Sequence, residues 1–239
     1  MSAIRSNASV TYIDSMKSVL IIGASRGLGL EFARQYRRDG WLTLGTCRSA
    51  EQDALLTAVG ATALRLDVTD ENGFANLAKA LDGRSIDVCI YNAGVLGPAD
   101  ANVIAPEANE FDLVMRTNVL GALRAIPVVA PALARAKGSF VFISSRMGSI
   151  GLMTSSGSVT YRASKAALNA VVKAAALEWG PKGVTCMTFH PGWVKTDMGG
   201  TEADLEPAAS IAGVRKVIAN ATTDSNGRFF DYTGKELAW

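Results

Sequence analysis

The sequence predicts an α/β fold, read as one doubly wound domain with a mostly parallel seven-stranded sheet and helices on both faces. Three observations predict it. Short apolar runs alternate with segments of helical spacing along most of the chain, which is the pattern of parallel strands joined by crossover helices. A glycine-rich loop follows the first apolar run. Residues able to do chemistry recur just after later runs, where open α/β sheets bind ligands. With 239 residues, 49% of them hydrophobic, the chain can bury the core that one such domain needs.

The elements follow in order. Residues 1–15 are polar and mixed, without the apolar core of a signal peptide, and read as a flexible N-terminal arm ahead of a single domain over 16–239. Ser18 to Ile22 is a buried strand. Leu28 to Arg38 has helical spacing, with Leu28, Phe32, Ala33 and Tyr36 on one side. Trp41 to Thr46 is a second strand and Glu51 to Val59 a weak helix. Ala63 to Leu66 and Ile86 to Tyr91 are strands, separated by a helix over Asn72 to Leu81. Asn92 to Ala105 is loop. Glu107 to Ala136 is a long helix, expected to kink near Pro127 and Pro131. Ser139 to Ser144 is the fifth strand, and a Gly/Ser loop covers Arg146 to Ser158. Tyr161-Arg162-Ala163-Ser164-Lys165 opens an Ala- and Leu-rich helical run that reaches Trp179 and stops at Gly180-Pro181. Val184 to Phe189 is a strand. A mobile loop is expected to about Glu206, then a helix over Pro207 to Ala219 and a last strand over Arg228 to Tyr232.

Composition excludes several classes of function. Net charge is only +2, with no basic stripe, so no nucleic-acid partner is expected. Three cysteines, Cys47, Cys89 and Cys186, lack metal-ligand spacing and read as reduced thiols of a cytoplasmic protein. No run approaches about 18 uninterrupted apolar residues. The most apolar stretch, Val119 to Leu133, contains Arg124, Pro127 and Pro131, so no membrane partner is expected.

The loops carry the chemistry. Gly23-Ala24-Ser25-Arg26-Gly27-Leu28-Gly29 lies between strand and helix, where glycines let a backbone approach a pyrophosphate at the positive helix end. Its G-x-x-x-G-x-G spacing differs from the usual dinucleotide fingerprint. NAD sites tend to place an acid about 20 residues further on. Here Thr46-Cys47-Arg48 ends the second strand with no carboxylate before Glu51. Arg48 and Arg26 can instead bracket a 2′-phosphate, so the cofactor expected is NADP. Asp67-Val68 ends the third strand, where Asp67 either meets the adenine edge or caps the next turn. Asn92-Ala93-Gly94 supplies small residues for a close backbone approach. Asn118 is a poor helix former inside a helix, placed there to hold a water or to open the helix locally.

Ser144-Ser145 closes the fifth strand, where a hydroxyl can hold a carbonyl oxygen. Tyr161 and Lys165 are four apart and so share a helix face. A nearby ammonium favours the phenolate and lowers the phenol pKa, which suits a general acid/base. The lone histidine, His190, lacks a G-x-S-x-G partner motif and reads as structural.

Together these motifs resemble the short-chain dehydrogenase/reductase family from Lys17 to Trp239. Thr46-Cys47-Arg48, the run from His190 to Gly200, and the ending Gly227-Arg228-Phe229-Phe230…Trp239 look most like its NADP-dependent carbonyl reductases related to sniffer and C-factor. The resemblance implies a Rossmann-type fold and NADPH-dependent reduction of a ketone or aldehyde. It implies Tyr161 as the acid, Lys165 on the nicotinamide ribose, Ser145 on the carbonyl oxygen and Asn118 holding a water. Gly23, Ser25, Arg26, Gly27, Leu28, Gly29, Arg48, Asp67, Val68, Asn92, Ala93, Gly94, Pro191, Gly192, Val194 and Thr196 are expected around the cofactor. Ile22 stands where the family usually has threonine, and Thr154 to Ser158 lengthens the substrate loop. Ile150, Leu152, Met153, Trp193 and Met198 are expected as apolar pocket walls. A homodimer or homotetramer acting on a small carbonyl or alcohol is expected. NAD-linked oxidation of a secondary alcohol, and a C-factor-like signalling role with little turnover, are the alternatives.

Overall fold

In the computed structural model, which describes residues 16–239, the apolar runs become seven strands: β1 (Ser18–Ile22), β2 (Leu42–Cys47), β3 (Thr62–Arg65), β4 (Val88–Tyr91), β5 (Ser139–Ile143), β6 (Thr185–His190) and β7 (Arg228–Asp231). The expected arm over 1–15 lies outside the described residues. The strands form one sheet in the order β3-β2-β1-β4-β5-β6-β7. Every neighbouring pair is parallel, so the expected "mostly parallel" sheet is wholly so. The helices are α1 (Gly27–Arg38), α2 (Ala50–Ala58), α3 (Glu71–Leu81), α4 (Ala108–Met115), α5 (Gly121–Ala136), α6 (Val159–Trp179) and α7 (Pro207–Ala219).

Alternation along the strands sorts side chains to two faces. Leu20 and Ile22 of β1 join a core with Phe74, Leu77, Ile126, Val129, Leu168 and Val172, from α3, α5 and α6. Val19 and Ile21 join the opposite core with Phe32, Tyr36, Leu56, Ile211 and Val214, from α1, α2 and α7. Central strands buried on both faces explain why their sequences are continuously apolar rather than alternating.

The strand order reverses between β1 and β4. This switch point sets the loops that leave those strands side by side, and a crevice opens above it. Backbone amides of Asn92 and Ala93 both donate to the Ile22 carbonyl at 2.9 Å.

Two expectations are corrected. The long helix is interrupted not at its prolines but by a π turn over Arg116–Leu120, which contains Asn118. Tyr91 of β4 donates from its hydroxyl to the Thr117 carbonyl in that turn, at 2.8 Å. Pro127 and Pro131 lie on the exposed side of α5. Residues 108–136 are apolar enough by length and composition to cross a membrane; Ala122, Ala125, Val129, Ala130 and Leu133 among them are spent on the core. The loop after β6, expected to be mobile, is tied to itself. Lys195 N donates to the Leu205 carbonyl and Leu205 N to that of Trp193, while the Lys195 ammonium pairs with Glu206 at 2.7 Å.

Candidate active site

The glycine loop leaves β1 with Gly23 at φ +85°. A Cβ there would also lie 2.8 Å from the Ala93 backbone, so only glycine satisfies both the turn and the close approach. Thr46 Oγ1 accepts from Gly23 N at 2.9 Å, and Asn92 Nδ2 donates to the Gly23 carbonyl at 2.7 Å. These bonds fix the loop as one wall of a groove of about 240 Å³ lined by Gly23, Ser25, Arg26, Arg48, Asp67, Val68 and Asn92 to Gly94. Gly29 corrects the expected set. It is buried, and a Cβ on it would strike the Gly23 carbonyl and the Asn92 amide. It lets the helix pack on the loop and does not line the groove.

The donor set fits a phosphorylated dinucleotide. Among the described residues the Arg48 side chain makes no ion pair or hydrogen bond and stands exposed at the groove. Asp53, the nearby acid that accepts from Cys47 Sγ at 2.9 Å, is paired with Arg65 at 2.6 Å, so it presents little free charge to an anion. Arg26 pairs with Asp197 at 3.1 Å. Both side chains are well exposed, and such pairs are worth about 0–1 kcal/mol, which an anion can displace. Asp67 caps the next turn, one of the two roles expected of it. Its carboxylate accepts from Thr69 N at 2.8 Å and Thr69 Oγ1 at 2.7 Å, and it still lines the groove.

The groove passes, through a recess sharing Arg26, Asn92 and Gly94, to the reactive helix. Helix α6 begins at Val159, after Ser158 at φ +56°. Tyr161 and Lys165 are therefore one turn apart inside the helix, both buried and both lining that recess. Lys165 Nζ donates to the Ile143 carbonyl at 2.9 Å and lies 5.6 Å from the Tyr161 ring centroid. The expected lowering of the phenol pKa is not the net result in this geometry. Burial pushes Tyr161 up to about 12, with the Ser145 side chain acting in the opposite direction. Burial also pulls Lys165 down to about 8. Burial thus favours the neutral phenol at neutral pH.

Ser145 and Ser144 divide their work. Ser144 Oγ donates to Asn169 Oδ1 at 2.7 Å, which anchors the end of β5 to α6. Ser145 Oγ accepts from Met147 N at 3.1 Å and lines the cavity beside Tyr161. Asn118 is fully buried. Its Oδ1 accepts from Val95 N, and its Nδ2 donates to the Val95 carbonyl and to Ser164 Oγ, each at 2.9 Å. Both amide hydrogens are spent on the scaffold. The side chain is thus an anchor between the Asn92 loop and α6, and the helix opens locally at Asn118, one of the two roles expected of it.

Beyond Tyr161 the site opens into a cavity of about 550 Å³ that shares Leu28, Ser144, Tyr161, Pro191, Thr196 and Met198 with the recess. Gly192 and Val194 line this cavity rather than the dinucleotide groove. Of the expected walls, Leu152, Trp193 and Met198 line it; Ile150 and Met153 do not, and both side chains are exposed. Sequence reasoning missed Leu96, Met147, Arg146 and Arg162 on its wall. The signal for the arginines was adjacency, since each directly follows a site residue. His190 also lines the cavity. Burial pulls it down to about 4, and no acid in the cavity wall makes it a hydrolase base.

Comparisons agree with this geometry. The sequence model of a family described as short chain dehydrogenase matches residues 17–206. The chain is 40% identical over 161 residues to C-signal of Myxococcus xanthus, across 64% of this chain and 93% of that protein. Carbonyl reductase Sniffer of D. melanogaster superposes with a TM-score of 0.86 at 30% identity, over 94% of this chain and all of that one. NADPH-bound carbonyl reductase from chicken fatty liver superposes with a TM-score of 0.83 at 30% identity, over 94% and 99% of the two chains.

Proposed function

This chain belongs to the short-chain dehydrogenase/reductase family, and on that footing we propose that it reduces a ketone or aldehyde to an alcohol with NADPH, reversibly. One observation carries the reading. Tyr161 and Lys165, buried one turn apart, stand where the glycine-lined groove meets a largely apolar cavity. The bound cofactor supplies hydride to the carbonyl carbon. Gly23, Ser25, Gly27 and Asn92 to Gly94 hold its phosphates and ribose close to the backbone, and Arg48 meets a 2′-phosphate. Ser145 holds the carbonyl oxygen, and Tyr161 delivers the proton to that oxygen as charge develops on it. Lys165, charged below about pH 8, stabilises the phenolate left behind and offers hydrogen bonds to a ribose. Asn118 acts through Ser164 and Val95 by fixing the helix turn and the loop that flank the reacting groups. Leu28, Leu152, Trp193 and Met198 exclude water around the carbonyl.

The relatives with carbonyl reductase in their names support this reading. The test is NADPH oxidation against a panel of ketones and aldehydes, with NADH in parallel. Turnover with NADPH is expected, lost in Tyr161→Phe. Oxidation of secondary alcohols with NAD and no reduction with NADPH would overturn it.

A further inference from the structure

The cavity beyond Tyr161 carries two guanidinium groups, Arg146 and Arg162, and no carboxylate. The two arginines differ. Arg162 is committed to the loop it follows, with Nε donating to the Gly157 carbonyl and Nη2 to Ser155 Oγ, both at 2.7 Å. Arg146 makes no ion pair or hydrogen bond through its side chain among the described residues. It is exposed, and it sits at the start of the 3-10 turn Arg146–Gly148, fixed by the bond from Met147 N to Ser145 Oγ. Its charge works against protonation of His190, which shares the cavity wall.

Arg146 does not belong to the dinucleotide's share of the site. It lines neither the groove nor the recess, only the substrate cavity. A cationic group in a concave, acid-free wall concentrates anions, and a guanidinium presents a planar fork that matches carboxylate or phosphate oxygens. The rest of the wall is mixed: Ser144, Ser145, Tyr161 and His190 gather polar groups, while Leu28, Leu96, Met147, Leu152 and Trp193 supply apolar surface. The cavity thus offers an uncommitted guanidinium to an oxyanion and several apolar side chains to a carbon body.

We propose that the cavity selects carbonyl compounds that carry an anionic group, carboxylate or phosphate, on an apolar body, with Arg146 as its partner. The proposal rests on the carbonyl-reductase reading. It makes Arg146 a specificity-determining residue that reads the substrate's anionic group.

Matched pairs test it: para-acetylbenzoate against its methyl ester, and para-acetylphenyl phosphate against para-methoxyacetophenone. The ratio of kcat/KM for the charged over the neutral member should favour the charged one by roughly two- to fivefold, the upper range of an exposed ion pair. It should shrink in roughly 0.5 M salt, where screening is nearly complete beyond a few ångström. Arg146→Met should bring the ratio close to one, and Arg146→Lys should keep part of it, with folding of both checked by circular dichroism. The larger of the two ratios identifies carboxylate or phosphate as the preferred group. Equal rates for charged and neutral members in the unaltered protein, or a ratio indifferent to Arg146→Met, would overturn the proposal. Binding of the same compounds to Tyr161→Phe in the presence of NADPH, measured by calorimetry, separates the two ideas. Tighter binding of the charged members without turnover of any carbonyl in the unaltered enzyme upholds the anion site and sinks the reductase reading. Equal affinities sink the anion site whatever the turnover.

Discussion

Asn118 donates through Nδ2 to the hydroxyl of Ser164 at 2.9 Å, and Ser164 donates in turn to the Tyr161 carbonyl at 2.8 Å. A buried amide in the π turn thereby grips the turn that carries Tyr161 and Lys165, while its other contacts hold both backbone groups of Val95. Asn118→Ala leaves those half-buried groups without their partners, at up to about 1–3 kcal/mol each. The thermal midpoint should fall by roughly 5–15 °C for a chain of this size. Asn118→Asp keeps the acceptor for Val95 N but cannot donate. It should lower kcat more than it raises KM for NADPH. A variant with normal kcat and only a lower midpoint would reduce Asn118 to a packing residue.

Tyr161 holds its proton because burial pushes its pKa up to about 12. Reduction, which needs the protonated phenol, should therefore be level across neutral pH and decline once Lys165 loses its charge near pH 8. Alcohol oxidation needs the phenolate, whose share rises about tenfold per pH unit below the pKa. Initial rates in both directions from pH 6 to 10 measure this. Tyr161→Phe should cut reduction by about 10²–10⁴-fold with NADPH affinity retained. A protein that keeps a biological effect in that variant would be a cofactor-dependent signal, not an enzyme.

The fold class was legible because strands buried on both faces are written as continuous apolar runs that alternate with helices; the strand order β3-β2-β1-β4-β5-β6-β7 came from the structure. That Gly23, Ser25, Arg26, Arg48, Asp67, Val68 and Asn92 to Gly94 share one groove was legible because they sit in short loops next to strand ends, where position in sequence and position in space nearly coincide. The substrate cavity was not. Ile150 and Met153 looked like walls, but Ser149 donates to the carbonyls of Ala238 and Trp239, some ninety residues away, and the loop presents both side chains outward. The helix break was half legible. Asn118 marked it, whereas Pro127 and Pro131 pointed elsewhere, because composition does not reveal that they fall on the exposed side.

Arg48 is the cation at the groove with no competing partner among the described residues, whereas Arg26 shares its charge with Asp197. Arg48→Met should raise KM for NADPH by about ten- to a hundredfold, the range for a charge-assisted bond of about 1.5–3 kcal/mol, and leave KM for NADH nearly unchanged. Arg26→Met should do less. Equal KM values for the two cofactors in the unaltered protein would remove the assignment of a 2′-phosphate site.

His190 gives the fold a pH dependence of definite sign. Its ring is largely buried, Nδ1 has no partner among the described residues, and burial pulls its pKa down to about 4, with Arg146 adding to the shift and Asp231 opposing it. Its value in the unfolded chain is about 6.5. Between those values the unfolded chain binds more protons than the folded one, so stability falls as pH falls from about 6.5 toward 4 and is unaffected by this group above 6.5. The loss approaches about 3 kcal/mol at the bottom of that window, at 1.36 kcal/mol per pKa unit. His190→Gln removes the titrating group and leaves every carboxylate in place. Thermal midpoints of the two proteins should therefore differ most at pH 7 and approach, or cross, as the buffer is taken to pH 4. Melting curves that shift in parallel over that range would mean that the imidazole is solvated and that its pKa is ordinary.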